Sequence, residues 1–344
     1  MPRVILSLLA FILGLACLGA LYQAIGNWRD ARRFPQRGTS VQVGQVKLNL
    51  NCSGTGSPRV ILESGAGMSS IGWIMIQPEI AKFTRVCSYD RAGYGWSEPG
   101  LEPRTSIQIA KELKLLLDAA GEKGPYILVG PSFGGLIVRV FAGLYPTEAA
   151  GIVLVDAMHE DQQNRVQKIR EAAGMAPPNI KPIRKYRLTQ IFAPLIAILG
   201  IERLQRAINP KPQAYVSKAF TEEFHYIEQQ PKFRDTTMSE MKVIRDSGTQ
   251  AHAAGNLGDV PLIVLTGGKM SFTLEPGLTK VVEDQLRNAW INVLQGEEAH
   301  LSTRGKQIVL WDSGHAVQFE RPDAVISAIQ EVWFAARANQ RSTR

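Results

Sequence analysis

The sequence predicts an α/β fold built on a mostly parallel sheet, and three observations carry that prediction. Short β-branched runs alternate with amphipathic helical patterns over much of the chain, as in βαβ units. One run, Tyr126-Ile127-Leu128-Val129, ends in Gly130-Pro131-Ser132-Phe133-Gly134-Gly135 and passes straight into the apolar stretch Leu136 to Ala142. Asp156 and His315 follow later runs, at the carboxyl edge where open parallel sheets gather their chemistry.

The 344 residues are 45% hydrophobic and 20% charged, an ordinary globular composition, and the chain is long enough for a core that needs no disulfide or metal. The net charge is +8. Its basic residues are dispersed and no nucleic-acid-binding motif is present, so no nucleic acid is expected as a partner. Basic clusters beside apolar stretches suit a membrane surface better.

Val4 to Ile25 is nearly all apolar, broken by Ser7, Tyr22 and Gln23. As a helix it would be about 33 Å long, enough to cross a bilayer core. No Ala-x-Ala site stands out, which favours an uncleaved single-pass anchor over a signal peptide, and Gly14 weakens a lipoprotein reading of Cys17. Residues 1–26 are therefore expected to be a transmembrane anchor that contacts lipid, followed by a basic linker over 27–40. Arg29, Arg32, Arg33 and Arg37 outnumber Arg3, which by the positive-inside rule would keep the large domain in the cytoplasm. Cys52 and Cys87 lie in separate strand-like runs. A disulfide between them would place the domain in an oxidising compartment; two buried thiols are the favoured expectation.

The core follows in order. Runs at 41–43 and 46–52 flank Gly44-Gln45 as a hairpin. Arg59 to Glu63 is a short strand leading into the loop Ser64-Gly65-Ala66-Gly67. Residues 84–89 form a strand that ends in Asp90-Arg91-Ala92-Gly93-Tyr94-Gly95-Trp96-Ser97. Thr105 or Ser106 caps a helix carrying Ile109, Leu113, Leu116 and Leu117 on one face. The strand–Gly-x-Ser-x-Gly–helix unit comes next, then a strand over 151–155 with Asp156 at its end.

From 157 to 258 the alternation stops, and the segment reads as an inserted helical cap broken by prolines. Within it, Lys181, Arg184, Lys185 and Arg187 precede an apolar run, Ile191 to Ile201, too short to span a bilayer. That run suits a membrane interface, an apolar substrate tunnel or a helix packed on the core. Strands resume at 261–266 and 307–310, around a helix at 279–295, and a helix over 322–338 closes the chain. The core thus comprises 41–156 and 259–344.

A serine hydroxyl needs an adjacent base to act as a nucleophile. Gly-x-Ser-x-Gly on a strand-to-helix turn holds the serine exposed beside a helix N-terminus. Of histidines 159, 225, 252, 300 and 315, His315 follows the last strand in a Gly-containing loop, and His159, near the strand ends, is second. The base needs a carboxylate to orient it. Asp156 is placed for this; Asp312 is too close in sequence to His315, Asp259 precedes its strand and Asp284 falls within a helix.

These motifs, with Ser313-Gly314-His315, resemble the α/β-hydrolase superfamily from about residue 40 onward, and most closely its membrane-anchored bacterial serine hydrolases. The resemblance implies an eight-stranded, mostly parallel sheet with helices on both faces and a cap after the sixth strand. It implies Ser132, Asp156 and His315 as the catalytic residues, and the backbone N–H groups of Ala66 and Phe133 as the oxyanion hole. Three departures stand out: no acid follows the seventh strand, where most relatives carry it; Pro131 replaces a common histidine; and Glu63-Ser64 replaces the usual apolar-His start of the oxyanion loop. Tyr94, Trp96 and His159 are candidate pocket residues. The expected activity is hydrolysis of a small-molecule carboxylic ester, with no metal or cofactor. An amide (aminopeptidase), thioester or carbon–carbon bond, or a non-catalytic membrane-anchored binding module, are the alternatives.

Overall fold

Eight runs of β-branched and other apolar residues pair into one sheet in the computed structural model, which describes residues 2–175, 192, 195–210, 215–269 and 278–342. The strands are β1 Thr39–Val43, β2 Val46–Ser53, β3 Arg59–Leu62, β4 Val86–Tyr89, β5 Tyr126–Pro131, β6 Ala149–Val155, β7 Leu262–Gly267 and β8 Gly305–Leu310. Their order is β1-β2-β4-β3-β5-β6-β7-β8. The β1–β2 hairpin pairs antiparallel, as does β2 with β4, and every other pairing is parallel. The parallel strands β4 to β7 are buried on both faces, which is why they read as continuous apolar runs rather than alternating ones.

Helices cover both faces. On one side Ile109, Leu113, Leu116 and Leu117 of Ser106–Ala119 pack with Leu136, Val140 and Phe141 of Phe133–Leu144. On the other, Val325, Ile329, Val332 and Trp333 of Pro322–Ser342 cover Ile127, Val129, Val153 and Val155. Thr105 is the cap: its hydroxyl accepts from the Gln108 N–H, leaving Ser106 Oγ to donate to Ser247 O. The helix expected over 279–295 is continuous but not uniform. A π-helical turn at Ala289–Leu294 separates Lys280–Asn288 from Gln295–Ala299, and such turns often mark functional sites.

The chain divides into two units, residues 1–36 with 178–231 and residues 37–177 with 232–344. The segment expected as a cap, 157–258, is shared between the two, and its flanks make contacts within the second unit: Glu160 pairs with Arg139 at 2.5 Å, and Ser247 Oγ accepts from the Ser106 N–H at 3.1 Å. Lys181, Arg184, Lys185, Arg187 and Ile191 lie outside the described residues.

In the other unit, the N-terminal helix runs from Pro2 to Arg33, so 27–33 is helix rather than linker. No glycine or proline interrupts Asn27 to Arg33, and the Arg32 guanidinium lies 3.9 Å over the Trp28 ring one turn earlier. The helix is long and apolar enough to cross a membrane.

Cys52 and Cys87 are bonded, which corrects the expectation of free thiols. They stand directly opposite each other on antiparallel β2 and β4, with Cα atoms 4.1 Å apart. Titration of the denatured protein is expected to find one thiol, Cys17. Cys52→Ser should cost about 3–4 kcal/mol of stability in urea denaturation, because it opens a loop with a sequence separation of 35.

Candidate active site

Strand β5 ends at Pro131 and the helix Phe133–Leu144 begins two residues later, so one residue must make the whole reversal. That residue is Ser132, at φ 48° and ψ −125°. Both flanking glycines are required by space. A Cβ on Gly130 would stand 2.5 Å from Gly134 O, and one on Gly134 would stand 2.7 Å from Ser64 O. Among the described residues, only Ser132 and Asp156 are non-glycines with positive φ. Such strain persists only where the surroundings over-determine it, and it concentrates at functional sites.

Asp156, at φ 44°, begins the turn after β6 and is buried. Its Oδ2 lies 2.6 Å from His315 Nδ1. Its Oδ1 accepts from the Gly267 N–H at 2.9 Å and from Trp290 Nε1–H at 3.0 Å. The carboxylate therefore has its second oxygen fixed, and the first is aimed at the histidine. The hydrogen bond to the accepting Asp156 carboxylate raises the His315 pKa above the usual histidine value, opposed by burial. The side chain keeps 50% of its surface open, and its loop is held by the Gly314 N–H donating to Glu320 Oε2 at 2.7 Å.

Gly267, the last residue of β7, has no room for a side chain: a Cβ there would stand 2.4 Å from Gly314 O, because the loop carrying His315 passes over it. Gly267 contributes its N–H to Asp156 instead. Trp290 was not legible as a site residue. It reads as one more apolar residue of a helix, and in the structure it lies in the π-helical turn.

The loop Ser64 to Gly67 lies against the serine, since a Cβ on Gly65 would stand 3.5 Å from Ser132 Cβ. Among the described residues, neither the Ala66 nor the Phe133 N–H donates to a backbone acceptor outside regular structure. The loop is held from beneath by Arg91, which is fully buried. Its Nη1 donates to Ser64 O at 2.5 Å and to Glu63 Oε1 at 2.7 Å, and its Nη2 to Gly65 O at 2.9 Å. Nε and Nη2 reach Glu240 at 2.8 and 3.0 Å. Glu63 also accepts from the Ser64 N–H at 2.8 Å and from the Tyr89 hydroxyl. Burial pushes its carboxyl above the usual range, while Arg91 pulls it down. The Glu63-Ser64 departure is thus one partner of a buried Glu–Arg–Glu cluster that fixes two successive carbonyls of the loop. Arg91→Met is expected to destabilise the protein by about 3–5 kcal/mol in urea denaturation, because it leaves two buried carboxylates uncompensated.

The three candidate pocket residues separate. Tyr94 is fully buried, with its hydroxyl donating to Glu240 Oε2 at 2.8 Å and accepting from the Gly67 N–H at 3.2 Å. His159 is buried as well. Its Nδ1 accepts from the Asp161 N–H at 3.1 Å, its Nε2 lies 3.3 Å from Glu297, and burial lowers its pKa. Both side chains are buried and hydrogen-bonded within the protein. Trp96 remains partly open, anchored by its backbone N–H on Asp90 Oδ2 at 3.0 Å.

A family profile described as alpha/beta hydrolase fold matches residues 58–179. The chain is 30% identical over 123 residues to a 2-hydroxymuconate semialdehyde hydrolase of Pseudomonas sp. (strain CF600), covering 35% of this chain and 44% of that protein. It is 28% identical over 155 residues to the Bacillus subtilis protein YbdG, covering 44% of this chain and 48% of that one. The matched stretches thus span less than half the length of these curated relatives. Among solved structures, a thermophilic esterase from Thermogutta terrifontis superposes with a TM-score of 0.54 at 19% identity, covering 87% of this chain and 98% of its own. At that identity the likeness speaks to the fold.

Proposed function

We propose that this chain, an α/β hydrolase, is a membrane-anchored serine hydrolase that cleaves carboxylic esters through an acyl-enzyme. The observation that carries the reading is the 2.6 Å Asp156–His315 pair on the same sheet edge as a serine strained at φ 48°. Ser132 Oγ attacks the ester carbonyl while His315 takes its proton at Nε2, since Nδ1 faces Asp156. The Asp156 carboxylate fixes that tautomer and stabilises the imidazolium. The N–H groups of Ala66 and Phe133 hold the tetrahedral oxyanion, each worth on the order of 3 kcal/mol in the transition state. His315 then protonates the departing alcohol and activates the water that frees the acid.

The apolar span of the N-terminal helix supports anchorage in a bilayer. The Cys52–Cys87 bond supports a catalytic unit on an oxidising side of that membrane, against the bias of the flanking arginines. A chain so anchored meets substrates that partition into lipid, which favours esters of medium or long acyl chain. A series of p-nitrophenyl esters tests the reading: kcat/KM should rise with acyl length beyond butyrate. Turnover confined to acetate and butyrate would overturn the substrate class.

A further inference from the structure

The helix Ile201–Ile208 has its polar side turned inward. Within the unit of residues 1–36 and 178–231, Arg203 pairs with Asp30 at 2.7 Å and donates to Asn27 Oδ1 at 2.9 Å and Gln23 Oε1 at 3.1 Å. Arg206 pairs with Glu228 at 2.6 Å. The apolar side faces outward: Leu204 is 50% exposed and Ile208 75%, with Ile201 on the same face. Leu195 and Ile198, just before it, are also exposed. A helix packed for water would show the reverse arrangement.

The position of this segment along the N-terminal helix indicates what covers it. A Cβ on Gly19 would stand 2.6 Å from Leu199 O, and one on Gly26, two turns later, 2.5 Å from Arg203 Cζ. Residues 199–203 therefore lie against residues 19–26, at the end of the apolar stretch Val4 to Ile25, whose outward side chains are likewise exposed. In a bilayer this is the level at which hydrocarbon gives way to headgroups, and the exposed Arg29 and Arg32 follow within two turns.

We propose that the outward apolar face of residues 195–208 is a second membrane contact, seated in the interfacial layer of the leaflet at the C-terminal end of the anchor. The inference rests on the N-terminal helix being a membrane anchor, and the test separates the two. The full chain, with Cys17→Ser, is reconstituted in vesicles of phosphatidylcholine and phosphatidylglycerol. Single spin labels are placed through Leu204→Cys, Ile208→Cys, Glu202→Cys and Leu13→Cys, and variants that retain ester turnover are carried forward. Labels at 204 and 208 should collide with an aqueous nickel chelate about fivefold less often than the label at 202, and more often with oxygen, as for a face buried in the acyl boundary. If 204 and 208 match 202 while 13 reads lipid, the anchor stands and the second contact is overturned. If 13 is also aqueous, the anchor reading fails and the inference with it. Low access to both quenchers with dipolar broadening would place a second copy on the face and overturn the lipid assignment.

Discussion

Ser132→Ala is expected to reduce kcat/KM for ester hydrolysis by about 10⁴-fold or more, leaving only what binding and oxyanion stabilisation contribute. The size of the effect follows from the geometry. Ser132 is the only residue on the reversal between β5 and the following helix, and no neighbouring hydroxyl occupies the same turn. The stability of the variant should be close to wild type or higher, since alanine at φ 48° has no more strain than serine and the oxygen lost is not a structural hydrogen-bond donor among the described contacts. Rates from a p-nitrophenyl ester, together with urea midpoints, check both halves.

Asp156→Asn is expected to lower kcat by about 10⁴-fold, because an amide at this position favours the wrong histidine tautomer. The pH profile adds a sign. His315 acts as a base only when neutral, and the Asp156 hydrogen bond raises its pKa above the ordinary 6.5. Wild-type kcat/KM should therefore rise with pH through a midpoint above 6.5. Removing the carboxylate removes the cause of the raised value and leaves burial, which acts in the opposite direction, so the midpoint should fall in the variant. A midpoint that does not move would separate Asp156 from the histidine. The same substitution also alters the oxygen that accepts from Gly267 and Trp290, so a urea midpoint distinguishes lost orientation from lost fold.

Much of the fold was legible because its signals are local. The strand β5 and its elbow are written in one continuous stretch, Tyr126 to Gly135, and the parallel order follows from strands alternating with amphipathic helices. Asp156 was singled out by elimination along the chain, and the contact it makes with His315 spans 159 residues. What could not be read depends on three-dimensional coincidence. Trp290, in the π-helical turn, reaches Asp156 across 134 residues of sequence, and a side chain on Gly267 would meet the loop that crosses above it. Glu63-Ser64 stood out as a departure at the start of the loop expected to hold the oxyanion. Glu63 is paired with Arg91, whose second partner, Glu240, is 149 residues away. The partner of the Tyr94 hydroxyl, Glu240, is likewise far along the chain, 146 residues away, and aromatic character alone does not reveal it. The helix through 27–33 was missed because its run of charges resembled a linker, while its partners Arg203 and Glu222 lie far along the chain.

Covalent labelling of the full chain, reconstituted in vesicles, with a fluorophosphonate, followed by peptide mass analysis, tests the central claim most directly. The adduct should fall on Ser132, be absent in Ser132→Ala, and form far more slowly in His315→Ala and Asp156→Ala. A folded wild-type protein that takes no label, or labelling that persists in Ser132→Ala, would contradict the assignment of Ser132 as nucleophile.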